Sequence, residues 1–112
     1  MSEFFEYKFL AMENYYKYVC EEGFTYQQAA GRCFVDFTLI LEESTVKSLA
    51  VYSTVLVQVT RHVEKIGVDF EEEYNKLMEI YTLLPLTDIL SENEREYLDD
   101  DIDFIKYKLK KS

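Results

Sequence analysis

A row of carboxylates near the carboxyl end is the pattern in this chain best suited to binding. Four acidic residues follow one another at intervals of four, four and three: Glu92, Glu96, Asp100 and Asp103. On an α-helix this spacing places the four side chains on one face, over about 16 Å of helix. Carboxylates accept paired hydrogen bonds from arginine, so the row indicates a surface for a basic partner.

Three further residues border this row on the same segment. Asp99 flanks it, and the aromatic side chains of Tyr97 and Phe104 lie together beside it. Aromatic rings offer rigid contact area at a small cost in conformational entropy. We therefore predict a partner-binding site of seven residues: Glu92, Glu96, Tyr97, Asp99, Asp100, Asp103 and Phe104. The alternative interpretation is a solvated face that only keeps the protein soluble.

The negative charge of the chain is concentrated around this site. Residues 69–103 hold thirteen carboxylates and two basic residues, a formal charge of −11, whereas the first 68 residues sum to −3 and the last nine to +4. Like charges at this density repel one another, and a basic partner would relieve the repulsion. The field of the acidic segment also repels polyanions within a Debye length of about 8–10 Å, so we expect no direct binding to nucleic acid.

Sequence patterns of enzymes and metal sites are absent from the chain. His62 is its only histidine, and no Cys, Asp or Glu lies three or four residues away to complete a helical metal site. Neither a glycine-rich phosphate loop nor a nucleophile elbow nor a dinucleotide fingerprint occurs. We expect a protein that is not an enzyme and holds no metal or cofactor, with His62 on a helix flank or at the surface.

Start and stop signals divide the chain into helices that position the site. Three capping boxes, in which two side chains satisfy free N–H groups of a first helical turn, begin at Thr25, Asp69 and Ser91. Helix ends are marked by Gly23, Gly67 and Pro85. The second segment, opened by Thr25, is expected to continue to Glu43 or Ser44.

The first segment, from Glu3 to about Glu22, has one strong apolar stripe. Its members recur every three or four residues: Phe5, Phe9, Met12, Tyr16 and Val19. This spacing predicts the core face of a helix. Four more aromatic residues fall outside the stripe and are candidates for contact with a partner or a second copy: Phe4, Tyr7, Tyr15 and Tyr18.

The segment from Val46 to Ile66 is ambiguous, because its many valines also suit a β-strand. Its apolar residues nevertheless keep a helical period over about twenty residues, which is too long for a typical strand. We therefore predict a helix with this core stripe: Leu49, Tyr52, Leu56, Val59, Val63 and Ile66.

The last helix, from Ser91 to about Lys110, places Asp101 inside its apolar arc. We predict that the helix breaks near Asp99–Asp101, so that an aspartate caps a new helix. Two alternatives remain open. Asp101 is a partly buried carboxylate held by a basic residue such as Arg32 or Arg61, or this face is an interface instead of core.

These elements predict one all-α domain over residues 1–112, an antiparallel bundle of four to five amphipathic helices. No apolar run reaches the roughly 18 residues that a membrane span requires, and the start of the chain does not resemble a signal peptide. Cys20 and Cys33 are expected to be unpaired and buried, as in a reducing compartment. We therefore expect a cytoplasmic protein without membrane contact.

Three classes of function fit this pattern. In size, charge and helicity the chain resembles bacterial immunity proteins, which implies an antitoxin whose acids occupy the basic site of a nuclease-type toxin or another nucleic-acid-handling enzyme. The second class is an anti-restriction or anti-CRISPR inhibitor, or a nucleic-acid mimic, whose acids should cover an extended surface. The third is a structural or regulatory module with an aromatic interface. Monomer and homodimer are both compatible with the sequence.

Overall fold

The computed structural model describes residues 2–63 and 70–110, and within these ranges it contains helices and no strand. The elements in chain order are α1 (Glu3–Tyr16), a π-helical turn (Lys17–Glu21), α2 (Tyr26–Asp36), α3 (Thr38–Leu41), α4 (Val46–His62), α5 (Glu71–Leu83), α6 (Leu86–Ile89) and α7 (Glu92–Lys110). The predicted all-α bundle of several helices is confirmed. No helix among the described residues is both long and apolar enough to cross a membrane.

Helix α4 forms the centre of the molecule. Every residue from Ser48 to Thr60 is buried, and α1, α2, α3, α5 and α7 all pack against it. The hydroxyls of Ser53 and Thr60 donate to backbone carbonyls one turn earlier, so burial leaves neither without a partner. The helix prediction for this segment is confirmed, because burial on all sides overrides the strand preference of valine.

The carboxyl end of α4 comes earlier than the pattern indicates. Val63 is already extended, with φ −124° and ψ 142°, so the helix ends at His62. The remaining signals predicted for this connection, which are Ile66, Gly67 and the capping box at Asp69, lie outside the described residues. Phe70, Leu77 and Ile80 attach α5 to the core.

The predicted core face of α1 is wrong. Phe4, Ala11 and Tyr15 are buried, whereas Phe9 is 51% and Tyr16 36% exposed. Because α1 has large apolar residues on more than one side, periodicity alone does not select the face. Ala11 is fully buried, and its small side chain allows α1 to lie close to α4.

Most of the aromatic residues predicted to contact a partner from the first segment are buried instead. Phe4, Tyr15 and Tyr18 are core residues and are unavailable to a partner. Tyr7 is half-buried, and the Nζ of Lys47 lies 5.3 Å from the centre of its ring.

The local start and stop signals are largely correct. Thr25 and Gln28 exchange hydrogen bonds of 3.0 and 3.1 Å, and Ser91 and Glu94 exchange bonds of 2.8 and 3.2 Å. Both capping boxes are therefore confirmed. Gly23 has the left-handed φ of +70° that ends a helix.

The second predicted helix is divided in two at Phe37. The hydroxyl of Thr38 donates to the carbonyl oxygens of Phe34 at 3.2 Å and Val35 at 2.7 Å. Such bonds compete with the helical backbone pattern and often distort it. The segment resumes as α3 and ends before Ser44, which has a φ of +51°.

Both cysteines are free, as predicted, but only Cys33 is buried. Burial raises the pKa of the Cys33 thiol to about 12. Cys20 lies exposed in the π-helical turn, in which Tyr18 is the buried residue. The prediction of a buried Cys20 is therefore wrong.

The assignment of the α1 core face gives a direct prediction. Phe4→Ala should lower the free energy of unfolding by about 3–5 kcal/mol, since it removes a fully buried ring. Phe9→Ala, on the same helix, should cost less than about 1 kcal/mol because half of its surface is already in water. Urea unfolding followed by circular dichroism measures both changes, and equal losses would contradict this core face.

Candidate protein-binding surfaces

The four carboxylates predicted as a row lie exposed along one side of α7. We call Glu92, Glu96, Asp100 and Asp103 the acidic row. The opposite side of α7 packs into the core through three residues: Leu98, Ile102 and Ile105. None of the row carboxylates pairs with a cation in the part of the chain that the structure describes. These groups are therefore available to accept hydrogen bonds from another molecule.

Asp99 has a different role from the row beside it. Its carboxylate accepts a hydrogen bond of 2.5 Å from the Tyr81 hydroxyl of α5. Burial of Tyr81, together with the hydrogen bond and charge of Asp99, raises the pKa of Tyr81 to about 12. Asp99 therefore connects α7 to α5 and is less available to a partner.

The two aromatic residues of the predicted site face neighbouring helices. Tyr97 is 50% exposed and meets Phe5 of α1 edge to face, with ring centres 5.4 Å apart. Phe104 is half-buried, and the guanidinium of Arg61 lies 5.9 Å from its ring centre. The seven predicted residues thus share one helix, with the acids on one side of it and the aromatic rings on the flank towards α1 and α4.

The ion pair of Asp101 explains why α7 is continuous. The carboxylate of Asp101 lies 2.8 Å from the Nζ of Lys8 on α1, and the two side chains are only 13% and 14% exposed. The predicted break near Asp99–Asp101 is wrong, because Lys8 satisfies the buried carboxylate without a new helix cap. The alternative of a partly buried, paired carboxylate is correct, but the cation that holds it is Lys8 and not one of the two arginines suggested. Arg61 contributes only its charge, and Arg32 pairs with Asp36 instead.

The pKa of Asp101 remains above its ordinary value even with Lys8 in contact. Burial raises the pKa, and the hydrogen bond and charge of Lys8 together with the charge of Arg61 lower it only in part. Transfer of the Asp101 carboxylate from water into the protein costs more free energy than its interaction with Lys8 recovers. The pair therefore fixes the position of α7 relative to α1 and adds little net stability.

A second acidic surface, which the sequence does not reveal, is an open groove between α5 and the α2–α3 segment. Its volume is about 880 Å³, and its floor contains Phe34, Leu41 and Tyr52. Its walls carry five glutamates and one lysine: Glu42, Glu71, Glu72, Glu73, Glu79 and Lys76. Three of these glutamates occupy the first turn of α5, where they interact favourably with the helix dipole. Glu42 is distant from these three glutamates in the sequence and shares the groove with them only in the folded chain.

His62 lies half-buried at the end of α4, among tyrosine rings. It stacks on Tyr26 with ring centres 4.3 Å apart, and its Nδ1 is 2.8 Å from the carbonyl oxygen of Gln58. This contact requires a proton on Nδ1, since a carbonyl only accepts. Among the described residues, no group of three or more His, Cys, Asp or Glu side chains is placed to hold a metal ion.

A polar network joins α1, the π-helical turn and α2. The Tyr18 hydroxyl donates to Asp36, the Asn14 amide donates to it at 3.1 Å, and Arg32 pairs with it at 3.3 Å. Burial raises the pKa of Asp36, but these contacts outweigh burial and leave the pKa below its ordinary value. Asp36 is thus held as a charged structural acceptor.

The ion pair between Lys8 and Asp101 makes an asymmetric prediction. At neutral pH, Lys8→Met should lower the free energy of unfolding by about 1–3 kcal/mol, because it leaves a buried carboxylate without its cation. The free energy of unfolding of Asp101→Asn should stay within about 1 kcal/mol of that of the unchanged protein. The raised pKa of Asp101 indicates that its negative charge is unfavourable in the folded state. The double variant should recover most of the loss in a urea-unfolding cycle.

The pH dependence of the Lys8→Met loss tests its cause. A carboxyl group with a raised folded-state pKa contributes stability below its unfolded pKa, and this contribution is lost as the pH rises through the folded value. Without Lys8 the pKa of Asp101 should rise further, so the loss should shrink as the pH falls from 7 towards about 4. A loss independent of pH would instead assign the effect to packing.

Comparison with known proteins supplies no relative for this chain. No protein-family model matches it, and no curated protein or solved structure shows significant similarity to it.

Proposed function

We propose that this chain is a small acidic binding protein that neutralises a basic protein partner, most concretely as an immunity protein or antitoxin against a nuclease-type toxin. The acidic row is the observation that carries the proposal, because its exposed carboxylates have no cation among the described residues. Nucleases hold the phosphate backbone with Lys and Arg. A row of carboxylates can occupy those cations and exclude nucleic acid.

The rigidity of α7 supports this proposal. The helix is unbroken from Glu92 to Lys110, and its attachment through the core and through Tyr81 and Asp99 fixes the spacing of the row. A preorganised surface loses little conformational entropy on binding. The net charge of −10 would also steer a basic partner towards the chain and raise the association rate.

Binding without catalysis is part of the proposal. Several groups with shifted pKa values serve internal contacts: Asp101 pairs with Lys8, and the Tyr81 hydroxyl donates to Asp99. Asp36, Arg32 and Cys33 share the polar network around Tyr18 and Asn14, where hydrogen bonds and an ion pair hold them. We also propose a cytoplasmic location, where the exposed thiol of Cys20 would remain reduced.

The nucleic-acid mimic is a second candidate because of one observation. The groove beside α5 adds five glutamates on a surface separate from α7, so the acids are spread over more of the molecule than the sequence suggests. A mimic of a nucleic acid needs an extended distribution of charge. Binding by a mimic should therefore depend on both the groove and the acidic row. Binding by a toxin inhibitor, whose interface is compact, should depend on the acidic row alone.

The direct test is capture of the partner followed by an activity assay. The immobilised chain is exposed to lysate of its source cell at low salt, and proteins released by a salt step are identified by mass spectrometry. We expect a basic nuclease or toxin whose activity falls as the purified chain is added. Recovery of no basic protein, or of one that the chain does not inhibit, would reject the proposal.

A charge-matched pair of variants locates the contact on the chain. Glu96→Gln/Asp100→Asn/Asp103→Asn changes the net charge from −10 to −7 and keeps Asp99 for Tyr81. It should slow association with the captured partner about tenfold or more at low salt.

Glu42→Gln/Glu71→Gln/Glu79→Gln is the control, because it makes the same charge change in the groove. An unchanged association rate for the row variant would remove the row from the interface. Equal slowing of both variants would favour the mimic.

A further inference from the structure

Helix α1 exposes the apolar face that its sequence pattern marks as a core face. Phe9 is 51% exposed and Tyr16 is 36% exposed. Phe5 and Met12, on the same face, are half-buried. These four residues recur at intervals of four, three and four, on one side of the helix over about 16 Å. A regular apolar row in water marks an interaction surface more often than isolated exposed residues do.

The apolar row continues onto neighbouring elements at both ends. Phe5 contacts Phe9 with ring centres 6.5 Å apart and meets Tyr97 of α7 at 5.4 Å. At the other end, Tyr16 lies edge-on to His62 at 6.2 Å, and His62 stacks on Tyr26, which is 38% exposed. We call this surface the aromatic band: Phe5, Phe9, Met12, Tyr16, Tyr26 and Tyr97.

Carboxylates border the aromatic band on both sides. Helical spacing places Glu6 and Glu13 one turn from Phe9, and Asp100 one turn from Tyr97. All three acids are exposed, and none is in an ion pair within residues 2–63 and 70–110.

The three cations near the band are already in contact with other side chains. Lys8 is already paired with Asp101, Arg61 lies over the ring of Phe104, and Lys17 lies 5.8 Å from the ring of Tyr18. The edge of the band facing the acidic row is therefore negative.

This combination of shape and charge selects one kind of occupant. An amphipathic helix places an apolar stripe between two polar flanks, and basic flanks would meet the carboxylates beside the band. A second copy of the chain would bring Glu6, Glu13 and Asp100 close to the same acids across a two-fold axis. An anionic lipid surface would be repelled by those acids.

We propose that the aromatic band is the docking site for an amphipathic helix of the basic partner. The apolar side chains of that helix cover Phe9 and Tyr97, and its lysines or arginines pair with Glu6, Glu13 and Asp100. This inference rests on the proposed function and adds the surface that retains the partner. The acidic row accelerates encounter, while burial of the aromatic band slows dissociation.

A synthetic peptide is the probe for this site. It has about 18 residues, with Leu at helical spacing on one face and Lys or Arg elsewhere, and carries a fluorophore. A second peptide of the same composition has its order scrambled so that no apolar face forms. By fluorescence anisotropy at low salt, the ordered peptide should bind at least about tenfold more tightly than the scrambled one.

Three single variants locate the bound peptide. Phe9→Ala and Tyr97→Ala should each weaken its affinity about tenfold, since each removes an aromatic contact at the centre of the proposed interface. Leu39→Ala, at a side chain 79% exposed on α3 outside the band, should leave the affinity unchanged. Circular dichroism and urea unfolding verify that all three variants remain folded.

Different results would overturn the docking site and the proposed function. Equal binding of both peptides, weakened only by the acidic-row variant, would overturn the docking site and leave the proposed function in place. Failure of both peptides to bind at low salt would overturn the docking site, whereas the proposed function would be rejected only by failure of the partner capture. Sedimentation of the chain alone tests for self-association through the band. If the measured mass rises with protein concentration, and Phe9→Ala abolishes this rise, the band binds a second copy and the partner-helix assignment is wrong.

Discussion

The burial of α4 on every side is the constraint on which the rest of the structure depends. A 17-residue helix with valine and leucine around its whole circumference must be covered in all directions, and five other helices cover it. Each of those helices uses one face for this contact and presents the other to water. Apart from Asp101 and Glu94, which are largely buried, most acids of α5 and α7 are consequently directed outwards. A concentration of charge in the sequence thus becomes a concentration of charge on the surface.

The contact between α1 and α7 connects the interior of the bundle to its proposed binding surfaces. Lys8 and Asp101 form a partly buried ion pair, and Phe5 and Tyr97 meet at the surface beside it. The ion pair lets α7 continue past an aspartate in its apolar arc, which keeps the acidic row evenly spaced. Tyr97 lies at the border of the acidic row and the aromatic band. A partner that contacts both would thus combine electrostatic attraction with apolar burial at one place.

Local signals in this sequence were reliable where the interacting groups are close along the chain. The capping boxes at Thr25 and Ser91 each involve residues three positions apart, and both form. The face of α1 could not be predicted in the same way, because the helix has large apolar residues on more than one side and its packing against α4 selects among them. The predicted stripe has the more regular period, but Phe4, Ala11 and Tyr15 are the residues that face the core. The same error turned Phe4 and Tyr15, which are core residues, into expected contact residues.

The sequence by itself determined the helical class, most helix boundaries and the carboxylate spacing on α7, because these follow from interactions within about one turn. Tertiary structure alone decided which face of α1 is exposed, which cation holds Asp101, and which glutamates share the groove beside α5. Lys8 and Asp101 are separated by 93 residues, and Glu42 lines the same groove as the first turn of α5, from which the whole of α4 separates it along the chain. Such contacts depend on how helices pack around a common core, and no short-range pattern encodes that arrangement.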